Sequence, residues 1–339
     1  MKDPIYPIAI IGGGAAGVMA ALRSVLNHDL CILFTGNKDD KRKSRATWVS
    51  KIDNIPGYHH YKFGITQPNV ETIKWINQSP HKDFFVYKPN KGIRKIIKNE
   101  NEVFELIDNT GEVFLAEHVI VCTGVMDIQP EISGSIEAIF PYANAQVADY
   151  CIRCDGHHTV GKDVTIIGND NNAAQVAMIL HERYKPSSVT IITHNGVAEF
   201  DQDIWELLDA YGIDVVNDKI TEIKGDEALA QLNGYVLEKH GIIATDFTFI
   251  SMGMITYNSL ACELGAKIDD RGFVITNEFG ETSISSLYVA GDIRAGVRKQ
   301  IYSAWDSSVD SADRINFVRR QKMREEIKSS SKKLKKLVG

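Results

Sequence analysis

Two cysteines three residues apart, Cys151 and Cys154 in the run Tyr150-Cys-Ile-Arg-Cys-Asp-Gly156, carry the plainest chemistry in this chain. A vicinal dithiol opens and closes as a disulfide, giving or taking two electrons at once. A thiolate, not a thiol, attacks a disulfide, so the pair needs one sulfur of depressed pKa and a group that moves protons. Asp155 follows the pair directly, and His157 and His158 lie just beyond it. The same residues allow other readings. Two cysteines and two histidines could hold zinc, but a closed zinc site prefers four ligands in separated pairs. With no second Cys-X-X-Cys in the chain, no metal is expected. A buried, redox-silent pair is a further alternative.

The pair sits between two strand-turn-helix patterns. In the first, an apolar run Ile5–Ile11 leads into Gly12-Gly-Gly14-Ala-Ala-Gly17 and a helix over Ala15–Val25, and Asp29–Phe34 returns as a second strand. In such a turn Gly12 permits the bend, Gly14 lets a pyrophosphate approach the backbone, and Gly17 lets helix and strand pack closely. The helix N-terminus attracts the anion. The acidic residue usual at the end of the second strand is missing, because the chain there reads Phe34-Thr-Gly-Asn37. Thr35 or Asn37 is left to meet the ribose region. A dithiol between two nucleotide-type units is what a flavin-to-disulfide relay needs, because a flavin also takes electrons in pairs.

The second pattern begins at Val164–Ile167 and continues through a helix at Ala173–Arg183 and a strand at Ser188–Thr193. Between the two, Val103–Ile107 and Val113–Leu115 flank the hairpin signal Asp108-Asn-Thr-Gly111, and His118–Val121 reads as a further strand. Ser286–Ala290 is a late apolar strand, and Gln300–Arg319 a helix. Lys38–Arg45 reads as a charged loop. The predicted fold is therefore α/β, with two Rossmann-like nucleotide-binding domains, the second inserted into the first. The expected boundaries are 1–126 and 256–320 for the first nucleotide-binding domain, 127–255 for the inserted region carrying the cysteines, and 321–339 for a basic tail, a solvated helix end or a docking site for an acidic partner.

A net charge of −6 argues against a general nucleic-acid binder. Five sparse cysteines, only two of them close, are not a secreted disulfide framework. The glycines at 12, 13, 14 and 17 make the N-terminal apolar stretch a strand and helix rather than a leader, and no run is long and apolar enough to span a bilayer. A cytoplasmic protein is expected.

Over nearly its whole length the chain resembles the low-molecular-weight thioredoxin reductases. The matching pieces come in family order: Gly12–Gly17, Ile52-Asp-Asn-Ile-Pro-Gly57, Val119–Gly124, Cys151–Gly156, Tyr288-Val-Ala-Gly-Asp292 and Lys299-Gln300. The resemblance implies an FAD-dependent disulfide oxidoreductase and, commonly, a homodimer. It implies that Cys154 is the flavin-facing sulfur, that Cys151 attacks the partner disulfide, and that Asp155 is the proton donor and acceptor. It places Asn54 and Pro56 by the isoalloxazine, Asp292 on the ribityl chain and the backbone near Gln300 at the pyrimidine edge. Cofactor contacts are further expected from Ala15, Ala16, Arg45, Trp48, Thr123, Gly124, Gly291, Lys299 and Ile301. Trp48 and Trp305 replace small or polar residues of the family pattern, and either ordinary packing or stacking on a flavin would account for them.

The pattern breaks at the second nucleotide site. Where the family has Gly-X-Gly-X-X-Ala, this chain has Gly168-Asn-Asp170-Asn-Asn-Ala173, and where it has His-Arg-Arg, this chain has Thr193-His194-Asn195. A carboxylate in a phosphate cradle repels its ligand. NADPH is therefore not the expected donor. Two offshoots of the family suggest replacements, a second FAD or a ferredoxin. The expected electron acceptor is a protein or small disulfide, a thioredoxin-like one included. An NADPH-dependent thioredoxin reductase, a flavin-binding redox sensor and a dithiol oxidase stay open as alternatives.

Overall fold

In the computed structural model, residues 4–37, 44–229 and 231–338 are described, with side chains as far as residue 330. Most of the charged loop expected at Lys38–Arg45, and the side chains of Lys332–Lys336, lie outside them.

The first strand, β1 (Ile5–Ile11), ends with Ile8, Ala9 and Ile10 wholly buried, as befits a strand covered on both faces. Helix α1 (Ala15–Leu26) follows, then β2 (Cys31–Phe34), α2 (Thr66–Gln78), β3 (Phe85–Lys88), β4 (Ile93–Lys98), β5 (Phe104–Asp108) and β6 (Val113–Val121). The sheet order is β3-β2-β1-β6-β5-β4. The two strands expected at Val113–Leu115 and His118–Val121 are one nine-residue strand. Nothing between them breaks a strand, and buried Ala116 continues the alternation of its N-terminal half. That half pairs with β5 as a hairpin, and its C-terminal half runs parallel to the strand at Leu287–Val289. Asp108 closes the hairpin by accepting from the amides of Thr110 and Glu112 and from Lys91 Nζ.

The chain leaves this unit through β7 (Val125–Asp127). The second unit holds α3 (Phe140–Asn144), β8 (Ala148–Asp149), α4 (Ile152–Asp155), β9 (Asp163–Ile167), α5 (Asn171–Tyr184), β10 (Ser188–Ile192), α6 (Gln202–Tyr211) and β11 (Asp214–Val216). Then come β12 (Ile220–Asp226), β13 (Gln231–Leu237), β14 (Gly241–Ala244) and β15 (Phe247–Ile250). A parallel sheet, β11-β10-β9-β15-β8, forms its centre, and β12-β13-β14 an antiparallel one. Val164, Ile166, Ala173, Ala177 and Phe249 form part of its apolar core.

The chain returns through β16 (Met254–Thr256) to α7 (Ser259–Glu263), β17 (Leu287–Val289) and α8 (Ile301–Val338). The basic segment expected at 321–339 continues this helix through Val338. Its residues are good helix formers without glycine or proline, so nothing stops it near residue 320.

The two compact units are Met1–Ser44 with Ile65–Val125 and Thr256–Gly339, and Arg45–Gly64 with Met126–Ile255. Residues 45–64, expected from sequence in the first unit, therefore cluster with the second. Trp48, 1% exposed, shows why: its ring stacks on Phe140 at 5.2 Å, and Ser50 Oγ donates to Asn144 O.

Candidate active site

In the first unit three parallel strands end level with one another. Ile11 of β1 pairs with Val121 of β6, and Val121 with Val289 of β17. Their exits, Gly12–Gly17, Cys122–Gly124 and Ala290–Asp292, converge at the carboxyl edge of the sheet, where such folds bind nucleotides. Gly12, Gly17 and Gly291 there are sterically required. A Cβ on Gly12 would lie 2.2 Å from Cys122 O, and one on Gly17 1.8 Å from Gly12 O. Gly291, at φ +79°, comes so near α1 that a Cβ would meet Ala16 Cβ at 2.8 Å. Gly14, the N-cap of α1, provides no side-chain cap, so the first-turn amides at Ala15, Ala16 and Gly17 face the crevice. These features fit a pyrophosphate at that helix end.

Thr35 packs against Gly13, and half-buried Asn37 follows it. Thr123 Oγ1 donates to Tyr257 O, while Gly124 O accepts from Tyr257 N. Lys299 Nζ stands 3.8 Å from the Phe273 ring centroid and donates to Arg294 O. Gln300 precedes α8 and Ile301 opens it, with the Gln300 carbonyl accepting from Ala304 N. Half-buried Asp292 follows Gly291 in the same crevice-forming turn.

In the second unit Cys151 and Cys154 form a disulfide with Cα atoms 5.3 Å apart, and both are half-buried. Cys151 precedes α4 in extended conformation, and its carbonyl accepts from the amides of Cys154 and Asp155. Asn54 Nδ2 approaches Cys154 Sγ at 3.4 Å. Asp155, 5% exposed, is hydrogen-bonded to the equally buried Asp149. Burial, then the charge of Asp149, pushes the Asp155 carboxyl well above the usual range, and burial pushes Asp149 up too. Two such carboxyls hold a proton between them at neutral pH. Sequence reasoning missed Asp149. An acidic residue two places before a Cys-X-X-Cys is the only signal the chain offered.

Arg45 is engaged by Asp127, with Nε at 2.7 Å and Nη2 at 2.5 Å from its two carboxylate oxygens. Trp48 also lies 6.2 Å from the Tyr150 ring. Its Nε1 is buried without a hydrogen-bond partner. Asp53, also missed from sequence, lies with Oδ2 3.0 Å from His158 Nε2 and accepts from it in the tautomer protonated there.

The second glycine turn differs from the first. Asp170 is the N-cap of α5, and its Oδ1 accepts from Ala173 N at 3.0 Å. The loop after β10 folds onto this turn: Glu199 N donates to Asn169 O at 2.7 Å, and Asn169 Nδ2 to Val197 O. His194, buried, accepts from Ile220 N through Nδ1, and Asn195 is left-handed at φ 65°. Gly168 remains required, since a Cβ there would lie 2.3 Å from Ser251 O.

A family model for pyridine nucleotide-disulphide oxidoreductases matches residues 6–312. The chain belongs to that family. It is a flavin-dependent oxidoreductase acting on a sulfur group, of the thioredoxin-reductase type. It is 26% identical over 318 residues to a thioredoxin reductase of Mycoplasma genitalium, covering 92% of this chain and 94% of the relative. It is 28% identical over 307 residues to that of Mycoplasmopsis pulmonis, covering 89% and 94%. The fold matches a thioredoxin reductase structure from Streptococcus pyogenes with a TM-score of 0.79 at 20% identity, covering 94% of this chain and 100% of that one. Among the described residues no helix is long and apolar enough to cross a membrane.

Proposed function

We propose that this chain reduces a disulfide on a thioredoxin-like protein or a small molecule through Cys151 and Cys154, using bound FAD. The observation that carries this is the disulfide itself, with Asn54 against Cys154 Sγ and a proton-holding carboxyl pair at its side. FAD would supply and accept electrons in pairs. Gly12, Gly14, Ala15, Ala16 and Gly17 would hold its pyrophosphate, Asp292 its ribityl chain, and Lys299, Gln300 and Ile301 its ring edge. Thr35, Asn37, Thr123, Gly124 and Gly291 would line the remaining nucleotide. Arg45, Trp48 and Asn54, expected cofactor contacts from sequence, belong to the dithiol-bearing unit.

In the chain's own half of the reaction, Cys151 attacks the substrate disulfide as thiolate and forms a mixed disulfide. Cys154 then attacks Cys151, closing the intramolecular bond and releasing the second substrate thiol. Asp155 takes the proton from the attacking thiol and returns one to the leaving sulfur. Its raised pKa suits it to hold that proton near neutrality.

A pyridine nucleotide is the donor class the family description supports, and NADPH is the one the resemblance to thioredoxin reductases implies. A second reading replaces NADPH with a ferredoxin or a second FAD. What favours it is the Asp170 carboxylate on the Ala173 amide and the 197–199 loop on the turn beside it, where a dinucleotide phosphate would need room. A homodimer in a reducing cytoplasm is the expected setting for either.

The test is anaerobic. The flavoprotein is mixed with NADPH, and full flavin bleaching at about two equivalents, one for the disulfide and one for the flavin, is the result that supports NADPH. Unbleached flavin that is nonetheless reduced by ferredoxin supports the second reading. Loss of disulfide reduction in Cys154→Ser is expected in both, and undiminished turnover of that variant would refute the dithiol role.

A further inference from the structure

Beside the disulfide, and separate from its sulfurs, three metal-ligating side chains meet. Asp53 comes from the 45–64 segment, and His157 and His158 from the turn after α4, all in one unit. His158 Nε2 lies 3.0 Å from Asp53 Oδ2, and His157 Nε2 lies 3.8 Å from the same oxygen. The two imidazole rings are 4.0 Å apart between centroids. One ligand atom from each residue falls within 4.8 Å of the others.

A tetrahedral ion with bonds of about 2.0–2.1 Å separates its ligand atoms by about 3.4 Å. The two measured separations straddle that value, so an ion could be accommodated with shifts of a few tenths of an ångström. A simple hydrogen bond would explain His158 but not His157. Both Nε2 atoms lie within 4 Å of one carboxylate oxygen, and the neutral tautomer with its proton on Nδ1 would free each Nε2 to bind an ion beside that oxygen. Imidazole and carboxylate together suit zinc and its neighbours, and three protein ligands leave a fourth position for water. The exposure of His157 gives an ion a way in.

We propose that Asp53, His157 and His158 bind a divalent transition-metal ion of the zinc type. An ion there would pin the segment bearing Asn54 to the turn that follows Cys154. The zinc site conceivable from sequence used the two cysteines. This one does not, and it is available while they are joined as a disulfide.

The test titrates Zn2+ into the oxidised, flavin-loaded protein, with binding read by calorimetry and metal content by elemental analysis after dialysis. About one equivalent is expected. His157→Ala, whose side chain is exposed, should keep its flavin and fold while weakening Zn2+ binding by more than about tenfold. Asp53→Asn should weaken it similarly. A Cys151→Ser/Cys154→Ser variant should bind as the wild type does. No uptake by the oxidised protein would overturn the proposal, as would unchanged binding in His157→Ala or binding lost with the serine pair. Because the measurement needs no turnover, it stands or falls apart from the reductase reading.

Discussion

Asp149 and Asp155 share a hydrogen bond in a buried pocket next to the Cys151–Cys154 disulfide. A pair of buried acids costs stability unless a proton neutralises part of their charge. Its position next to the redox sulfurs turns that cost into a local proton store.

Replacing Asp155 by Asn should therefore slow disulfide reduction by about a hundredfold, the scale of a lost general acid. Asp149→Asn keeps a hydrogen-bonding partner for Asp155 and should cost less than about tenfold. Steady-state kcat with an excess of disulfide substrate measures both. Equal losses in the two variants would place the proton role on the pair as a unit.

The glycine cradle separates folding from cofactor binding. Gly17→Ala drives a methyl to within 1.8 Å of Gly12 O and should yield unfolded or insoluble protein. Gly14→Ala meets nothing within 4 Å, so the protein should fold. It should nevertheless purify with much less flavin, because its methyl enters the space meant for pyrophosphate. Circular dichroism and the flavin-to-protein absorbance ratio distinguish these outcomes.

At the other glycine turn, Asp170→Ala removes the side-chain cap of α5 and should destabilise the second unit by about 1 kcal/mol in urea unfolding. Asp170→Gly, which also opens the turn, should tighten NADPH binding if the cap blocks it. Unchanged NADPH binding would remove the main support for another donor.

Acid should unfold the protein partly through His118. Burial first, then the nearby charges of Arg319, Lys322 and Lys98, lowers its pKa from 6.5 to about 4. The folded state thus binds this proton less readily than the unfolded chain does. The resulting stabilisation is complete above pH 6.5 and is lost as pH falls toward about 4, at most about 3 kcal/mol. Denaturation midpoints between pH 7 and 4 should fall less steeply in His118→Leu.

What the sequence disclosed were features that act locally. Ile5–Ile11 is predicted and observed over the same residues, because a continuous apolar run followed by glycines has one strong solution in an α/β fold. The glycines at 12, 14 and 17 and the spacing of Cys151 and Cys154 carry their chemistry in short stretches. Asp149, Asp53 and the Arg45–Asp127 pair do not, because each matters only through a partner the fold delivers. The same holds for residues 45–64. No local pattern says which core Trp48 will enter, and a ring stacked on Phe140 decides it.

An anaerobic dithionite titration of the purified flavoprotein, compared with its Cys151→Ser/Cys154→Ser variant, tests most directly whether the dithiol and the flavin form one redox unit. The wild type should take up about four electrons per chain before the flavin is fully bleached, and the variant about two. A wild type that bleaches after about two electrons, leaving its disulfide intact, would contradict the account.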